Sequence, residues 1–185
     1  FSFNNVLDLT GSRMENVRDM AAIRIYGECA NIQIKNCSFT YLSKAVTAAP
    51  KKFHDKMNNY WISDNKIMHT DQNAILLYAW DMWDWADTFG DLTHLAILRN
   101  YVYNTGMRPW VYDEAHAVQA YGGQTLIVAG NVISNCAGSG IHCFNGKPHD
   151  EWGTPRKLVV DLPYMDCKIF QNKVENTMLS TADWG

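Results

Sequence analysis

The chain has 185 residues and a formal net charge of −3, with 47% hydrophobic and 19% charged residues. A disordered chain is excluded, because it would be poorer in apolar residues and richer in charge. The absence of a basic excess argues against a nucleic-acid-binding protein, and no apolar run reaches the ~18 residues that a membrane span needs. The five cysteines contain no CxxC pair, so we interpret them as apolar fillers of the core.

A short pattern recurs along the chain: an apolar residue, two further residues, Asn, one residue and a second apolar residue. Its key positions, where Cys once replaces Asn, are Asn4, Cys37, Asn65, Asn100, Asn131 and Asn172. The intervals of 33, 28, 35, 31 and 41 residues indicate a constant structural unit joined by loops of variable length.

A second element follows each key position by about nine residues and consists of a small residue before alternating apolar positions. It occurs at 22–26, 74–78, 117–121 and 140–144. Alternation with a period of two predicts strands, and no segment keeps a helical period over three turns. Short strands that repeat every ~30 residues with an Asn at a turn predict a parallel β-solenoid. Equivalent Asn side chains would then stack from coil to coil at the ~4.8 Å strand spacing.

With these residues the chain resembles the right-handed parallel β-helix superfamily, which includes pectate lyases, polygalacturonases, several glycoside hydrolase families and phage tailspikes. The resemblance covers essentially all of residues 1–185 and implies an all-β, right-handed parallel β-helix of about six coils. It also implies an extracellular, periplasmic or cell-surface location. Because the chain begins and ends within coils and shows no capping helix, we expect a segment of a longer β-helix whose flanking coils are missing.

Stacking places residues at equal offsets in vertical columns, and two columns of the second strand should face solvent or a cleft. The first is predicted to contain Arg24, Thr47, Leu76, Gln119, His142 and Asp183. The second is predicted to contain Tyr26, Tyr78, Tyr121 and Phe144. Aromatic rings beside an amide, an imidazole and a carboxylate are typical of sugar binding, because rings stack on C–H faces while polar groups bind hydroxyls.

Long loops should form walls beside these columns. The loops 48–59, 79–93 and 145–166 follow the second strand, and 104–115 precedes it in one coil. The loop 79–93 contains Trp83 and Asp84 within a run of three Trp and three Asp. The loop 104–115 contains Trp110 and Glu114, and His116 follows it directly. We expect these side chains to bind substrate, since loops on one edge of a repeat scaffold carry binding.

The predicted function is hydrolysis of a plant, algal or microbial polysaccharide or oligosaccharide by carboxylate acid/base chemistry, which requires two carboxyl groups. The Asp183-Trp184-Gly185 stretch resembles an Asp-x-Gly stretch of some β-helix glycoside hydrolases, which implies that Asp183 is catalytic. His142 would lie ~5 Å away, one coil earlier, where the carboxylate would help it act as an acid or base. The second carboxylate is left open among Asp81, Asp84, Asp113, Glu114 and Asp150.

Two alternatives stay open. A polysaccharide lyase would need calcium or a cationic side chain to neutralise a uronate, but Arg24 is the one basic residue in the predicted columns and the loops are acidic. A non-catalytic glycan-binding adhesin or tailspike stalk would have shorter and more uniform turns. We assign no metal ligands and no cofactor, although calcium is possible, and the expected partner is a polysaccharide or oligosaccharide.

Overall fold

The computed structural model describes residues 2–4, 21–51, 55–78, 91–107, 115–144 and 166–178. Within these ranges the chain forms β-strands and no helix. The strands are β1 (Ser2–Asn4), β2 (Ala21–Tyr26), β3 (Cys29–Lys35), β4 (Ser38–Leu42), β5 (Lys44–Ala49), β6 (Lys56–Ser63), β7 (Lys66–Thr70), β8 (Ile75–Tyr78), β9 (Asp91–Leu98), β10 (Tyr101–Thr105), β11 (Val118–Tyr121), β12 (Gln124–Ala129), β13 (Val132–Cys136), β14 (Ile141–Phe144), β15 (Cys167–Phe170) and β16 (Lys173–Glu175).

Every third strand belongs to the same parallel sheet. Sheet A has the order β1-β4-β7-β10-β13-β16, sheet B has the order β2-β5-β8-β11-β14, and sheet C has the order β3-β6-β9-β12-β15. The chain therefore runs repeatedly through sheets B, C and A, and each circuit stacks on the previous one. This arrangement confirms the predicted all-β parallel solenoid and gives it about five to six coils, where about six were expected.

A continuous apolar core lies between the three sheets. In sheet B the register aligns Ile23, Val46, Ile75, Val118 and Ile141, one from each strand. Ile75 and Val118 are fully buried, and Phe39, Ile67 and Ile133 of sheet A lie in the same core. Burying an aliphatic side chain of this size stabilises the fold by about 1.5–3 kcal/mol. The low charge of the sequence follows, because strands of all three sheets contribute apolar residues to this interior.

A ladder of asparagines joins consecutive coils where sheet C turns into sheet A. The Oδ1 atoms of Asn65, Asn100, Asn131 and Asn172 accept the N–H of the ladder position in the preceding coil, at 2.9–3.1 Å. Each amide nitrogen also donates to a backbone carbonyl, as Asn100 does to Ile62 at 2.9 Å. Buried amides are therefore satisfied on both sides, which is what permits a polar residue in the interior.

The register of the first strand differs from the expected repeat. The repeat aligned Asn4 with Cys37, but β1 pairs Phe3 with Phe39 and Asn4 with Thr40. Phe39 is fully buried, so its column is an inward one. In the backbone register Phe3 is therefore the residue aligned with that column, and Asn4 stands past the ladder. Apolar residues in this segment fit both the predicted register and the observed one, so the sequence pattern does not distinguish them. The observed register is the one that aligns the strand with the inward column of Phe39.

The five cysteines are free, and all belong to the core or pack against it. Burial and the neighbouring Cys167 raise the pKa of the Cys143 thiol to about 12. Such a thiol carries little thiolate at neutral pH and is correspondingly unreactive. Among the described residues, no helix is long and apolar enough to cross a membrane.

Candidate functional site

The outer column of sheet B is the residue series Arg24, Thr47, Leu76, Gln119 and His142, aligned by the strand register. Gln119 in β11 and His142 in β14 are direct neighbours. Arg24 is exposed and belongs to β2, separated from β11 by β5 and β8. The structure therefore brings Gln119 and His142 together and leaves Arg24 at the opposite end of the column.

The middle of this outer column is covered, whereas the sequence led us to expect that it faces solvent or a cleft. Leu76 and Gln119 are fully buried, and Thr47 is 8% exposed. Leu76 and Tyr78 form an apolar cluster of their own with Ala49, separate from the core between the sheets. Removing these apolar groups from water is favourable, so the outer face of sheet B carries a small second core. His142 is half-buried at its edge.

Four polar side chains form a connected network beside that small core. His142 Nδ1 lies 3.1 Å from His116 Nε2 and 3.4 Å from Gln119 Nε2. Asn73 Nδ2 donates to Gln119 Oε1, and Asn73 is fully buried. The two imidazole rings meet edge to face, with centroids 4.5 Å apart. We call Asn73, Gln119, His116 and His142 the imidazole network.

The hydrogen bonds of the imidazole network assign the imidazole tautomers. The backbone N–H of Ser139 donates to His116 Nδ1 at 2.9 Å, so the hydrogen of neutral His116 is on Nε2. That Nε2–H donates to His142 Nδ1. Since Nδ1 of His142 accepts, its neutral ring carries the hydrogen on Nε2. The network therefore holds His142 as a hydrogen-bond donor at Nε2.

The same geometry disfavours a metal centre formed by the two histidines. A metal-bound histidine normally donates its other N–H to an acceptor, but His116 Nδ1 accepts from Ser139. Binding a cation through His116 Nε2 would require loss of the hydrogen that bridges to His142. Among the described residues, no group of three His, Cys, Asp or Glu side chains is arranged to hold a metal ion.

Local sequence explains how the network is positioned. Asn73, His116 and Ser139 each stand two residues before an inward residue of sheet B, so they stack where the chain enters that sheet. Asn73 Oδ1 accepts the N–H of His116 at 2.9 Å, which repeats one coil later between His116 and Ser139. A Cβ at Gly138 would lie 2.9 Å from His116 Nδ1, so only glycine leaves room for the ring.

Sequence reasoning included His116 as a loop residue but missed Asn73, Gly138 and Ser139. Asn73 and Ser139 could have been identified from their spacing, because each stands two residues before an inward residue of sheet B. His116 belongs to the same series.

The aromatic column has mixed surroundings. Its backbone register aligns Tyr78, Tyr121 and Phe144, as predicted. Tyr78 is 8% exposed, so its ring belongs to the small second core more than to an open face. Tyr26 stands opposite Ala49 and is 40% exposed, with the Arg24 guanidinium 5.0 Å from its ring centroid.

Five predicted site residues lie outside the described residues, namely Trp83, Asp84, Trp110, Glu114 and Asp183. Their roles stay predictions.

A family model described as a right handed beta helix region matches residues 2–150, which is most of the chain. No curated protein matches the chain, and no solved structure does. The reaction and the ligand must therefore be argued from the chemistry of the site.

Proposed function

This chain belongs to the right-handed β-helix family, and we propose that it is a glycoside hydrolase whose substrate lies beside His142, at the edge of the covered outer face of sheet B. The observation that carries this proposal is the imidazole network, in which Asn73, Gln119 and His116 orient His142 with its hydrogen on Nε2. A polar network of this kind, set beside buried apolar side chains, is characteristic of a ligand site more than of a solvated surface.

His142 would act as a neutral donor to a sugar oxygen. Adding a proton at Nδ1 would set that nitrogen against two donors, His116 Nε2–H and Gln119 Nε2–H. The loss of both hydrogen bonds would cost about 1–3 kcal/mol. In this arrangement the ring donates from Nε2 and leaves proton abstraction to another group.

The carboxylate chemistry would be supplied by Asp183, which the repeat predicts to continue the column after His142. In glycoside hydrolysis one carboxyl group protonates the glycosidic oxygen, and the other attacks the anomeric carbon or activates water. Asp183 is our candidate for one of these two roles. Neutral sugars are the favoured substrates, because Arg24 is the one basic residue in the described part of the column.

The test measures new reducing ends released from a panel of neutral and uronate-containing polysaccharides by the natural full-length protein. We expect Asp183→Asn to lower kcat about 10²–10⁴-fold and His142→Gln to lower it about 10²-fold. His94→Gln is the matched control, because His94 is an exposed histidine of β9 in sheet C. Circular dichroism and thermal unfolding verify that each variant folds.

The outcomes separate the alternatives. Full activity in Asp183→Asn contradicts the assignment of that residue. Unsaturated uronate ends in place of hydrolysed ends identify a lyase, and a calcium requirement for them supports the calcium-assisted form. Glycan binding without turnover by the natural protein identifies a non-catalytic binding module.

A further inference from the structure

A groove away from sheet B carries a second set of polar and aromatic side chains. It lies outside the asparagine ladder, where sheet C turns into sheet A, and has a volume of about 530 Å³. Its lining comprises Asp64, Asn65, Lys66, Met68, Arg99 and Tyr101. None of these residues belongs to the imidazole network or to the outer column of sheet B, and we call this the ladder groove.

The asparagine ladder makes the groove rigid. Asp64 and Lys66 flank Asn65, and Arg99 and Tyr101 flank Asn100. The two asparagines are buried and bonded to each other, with Asn65 Nδ2 donating to Asn100 Oδ1 at 3.0 Å. The backbone on either side of each asparagine is thereby fixed. A ligand in the groove would therefore meet a backbone that needs little further ordering.

The backbone of the groove is held in an uncommon conformation. Asp64 has a φ of 58° and Arg99 a φ of 51°, in the left-handed region. Arginine gains nothing there from the short side-chain hydrogen bonds that favour aspartate or asparagine in that region. In the next coil the same position is Gly130, and a Cβ there would lie 3.3 Å from Arg99 Cγ. The glycine thus leaves space for the Arg99 side chain along the groove.

Arg99 and Asp64 form a paired donor and acceptor. Arg99 Nε and Nη2 donate to the two carboxylate oxygens of Asp64, each at 2.7 Å. The guanidinium has five N–H donors, so three remain beyond these two bonds, and each carboxylate oxygen keeps further acceptor capacity. The Arg99 side chain is 60% exposed and that of Asp64 33% exposed. Adjacent donors and acceptors of this kind match two neighbouring hydroxyl groups, one accepting and one donating.

An aromatic surface adjoins the pair. Tyr101 is 40% exposed, and its ring lies nearly parallel to that of Tyr103, at 15° with centroids 6.5 Å apart. Lys66 stands beside Tyr101 and Met68 beside Tyr103 in the strand register. An exposed ring that a neighbouring ring supports offers a face for the C–H groups of a sugar.

We propose that the ladder groove is a second saccharide-binding site, in which Tyr101 stacks on a sugar ring while Asp64 and Arg99 hold two vicinal hydroxyls. Lys66 and Arg99 outweigh the one carboxylate of Asp64 in the lining. The groove therefore accepts neutral sugars and also sugars that carry a carboxylate. This site would bind a saccharide chain away from the sheet B face. The proposal does not depend on whether that face is catalytic.

The test uses the natural full-length protein on an array of neutral and uronate-containing oligosaccharides, followed by affinity measurement for each one bound. We expect Tyr101→Ala to weaken at least one oligosaccharide about tenfold. Tyr101→Phe, which keeps the ring, should retain that affinity. Arg99→Lys, which keeps the charge but loses the bidentate geometry, should weaken it by a similar factor.

Two controls separate this site from other sugar contacts. Trp61→Ala removes an aromatic side chain of similar exposure, 42%, from sheet C and should leave the affinity unchanged. His142→Gln should lower turnover about 10²-fold, if the proposed function holds, while leaving binding at the ladder groove intact. The proposal is overturned if no oligosaccharide binds the natural protein, or if every affinity is unchanged in both Tyr101→Ala and Arg99→Lys.

Discussion

Single atoms in the imidazole network determine which nitrogen of His142 carries hydrogen. The N–H of Ser139 donates to Nδ1 of His116, and the Nε2–H of His116 donates in turn to Nδ1 of His142. The side-chain amide of Gln119 donates to the same Nδ1. The result is a directional chain of hydrogen bonds that begins at the backbone amide of Ser139. A histidine placed in this way donates from Nε2.

The hydrogen bonds of the imidazole network predict that Gly138 is needed to position His116. Gly138→Ala would place a methyl group 2.9 Å from His116 Nδ1 and push the ring away from Ser139. We expect the Nε2–H form of His142 to lose population and kcat to fall about tenfold or more, with KM little changed. Nitrogen NMR of the histidine rings reports the tautomers directly.

The matched control for this variant is Gly130→Ala, which meets a side-chain carbon of Arg99 at 3.3 Å, far from the network. It should leave the His142 tautomer unchanged. An unaltered His142 spectrum in Gly138→Ala would contradict the positioning role.

At the scale of the element, the asparagine ladder explains why short strands form a continuous scaffold. Strands of three to eight residues hold only a few ladder hydrogen bonds each. The buried amides of Asn65, Asn100 and Asn131 add bonds at the turn, where the backbone of one coil would otherwise lose its partners. Loops can then vary in length without moving the stacked turns.

The ladder predicts a large stability loss from one substitution. Asn100→Ala would leave the N–H of Asn65 and the carbonyl of Ile62 without their side-chain partners, and Asn131 would lose a bond as well. Buried groups left unpaired cost about 1–3 kcal/mol each, so we expect the free energy of unfolding to fall by about 2–4 kcal/mol. Urea denaturation measures the change.

The control is Asn58→Ala in β6, a half-buried asparagine outside the ladder. We expect a change of at most about 0.5–1 kcal/mol there. Equal losses in the two variants would show that the ladder has no special weight.

At the scale of the whole molecule, each coil contacts its neighbours along three sheets, and one apolar core runs through the stack. Stability is then shared between adjacent coils, as in other repeat proteins. Contacts between coils on the surface add to it, and the Asp64–Arg99 pair is one that joins two consecutive turns. The dependence of thermal stability on acid pH should therefore reveal the contribution of the Asp64–Arg99 pair.

The pH dependence follows from the direction of the Asp64 shift. Hydrogen bonds from Arg99 hold the pKa of the Asp64 carboxyl below its ordinary value of ~3.9. A lowered folded-state pKa contributes stability above the unfolded-state pKa, and that contribution disappears as the pH falls through the folded-state value. We expect Asp64→Asn to lower Tm at about pH 6, and the difference from the natural protein to shrink as the pH falls through the folded-state pKa of Asp64.

Glu175→Gln is the control for this prediction, because it removes another exposed carboxylate, which is paired with Lys173 at 3.1 Å. A Tm difference for Asp64→Asn that stays constant from neutral to acid pH would contradict the linkage.

Much of the fold was accessible from the sequence because a β-helix repeats locally. The alternation of apolar residues in 74–78 and 117–121 gives the inward and outward faces, and the recurring Asn65, Asn100 and Asn131 mark the turn. The column from Arg24 to His142 followed from equal offsets, and the strand register reproduces it. The predicted register was wrong at Asn4, because the apolar residues around it fit more than one alignment with the next coil.

The candidate site was only partly accessible. Gln119 and His142 were found because they share an offset, whereas Asn73 lies 46 residues from Gln119 and contacts it only across stacked coils. Burial of Gln119 and Tyr78 was not predicted, since the alternation of a strand says which face a residue takes but not what covers that face.

The sequence by itself determined the repeat, the direction in which the residues of the sheet B strands point and the positions of the asparagine ladder from Asn65 onward. The tertiary structure alone decided which polar atoms meet, and therefore the tautomer of His142 and the pairing of Arg99 with Asp64. The reason is physical: periodicity depends on neighbours within one strand. Contacts between coils depend on register across loops of unequal length, which is set by the whole stack.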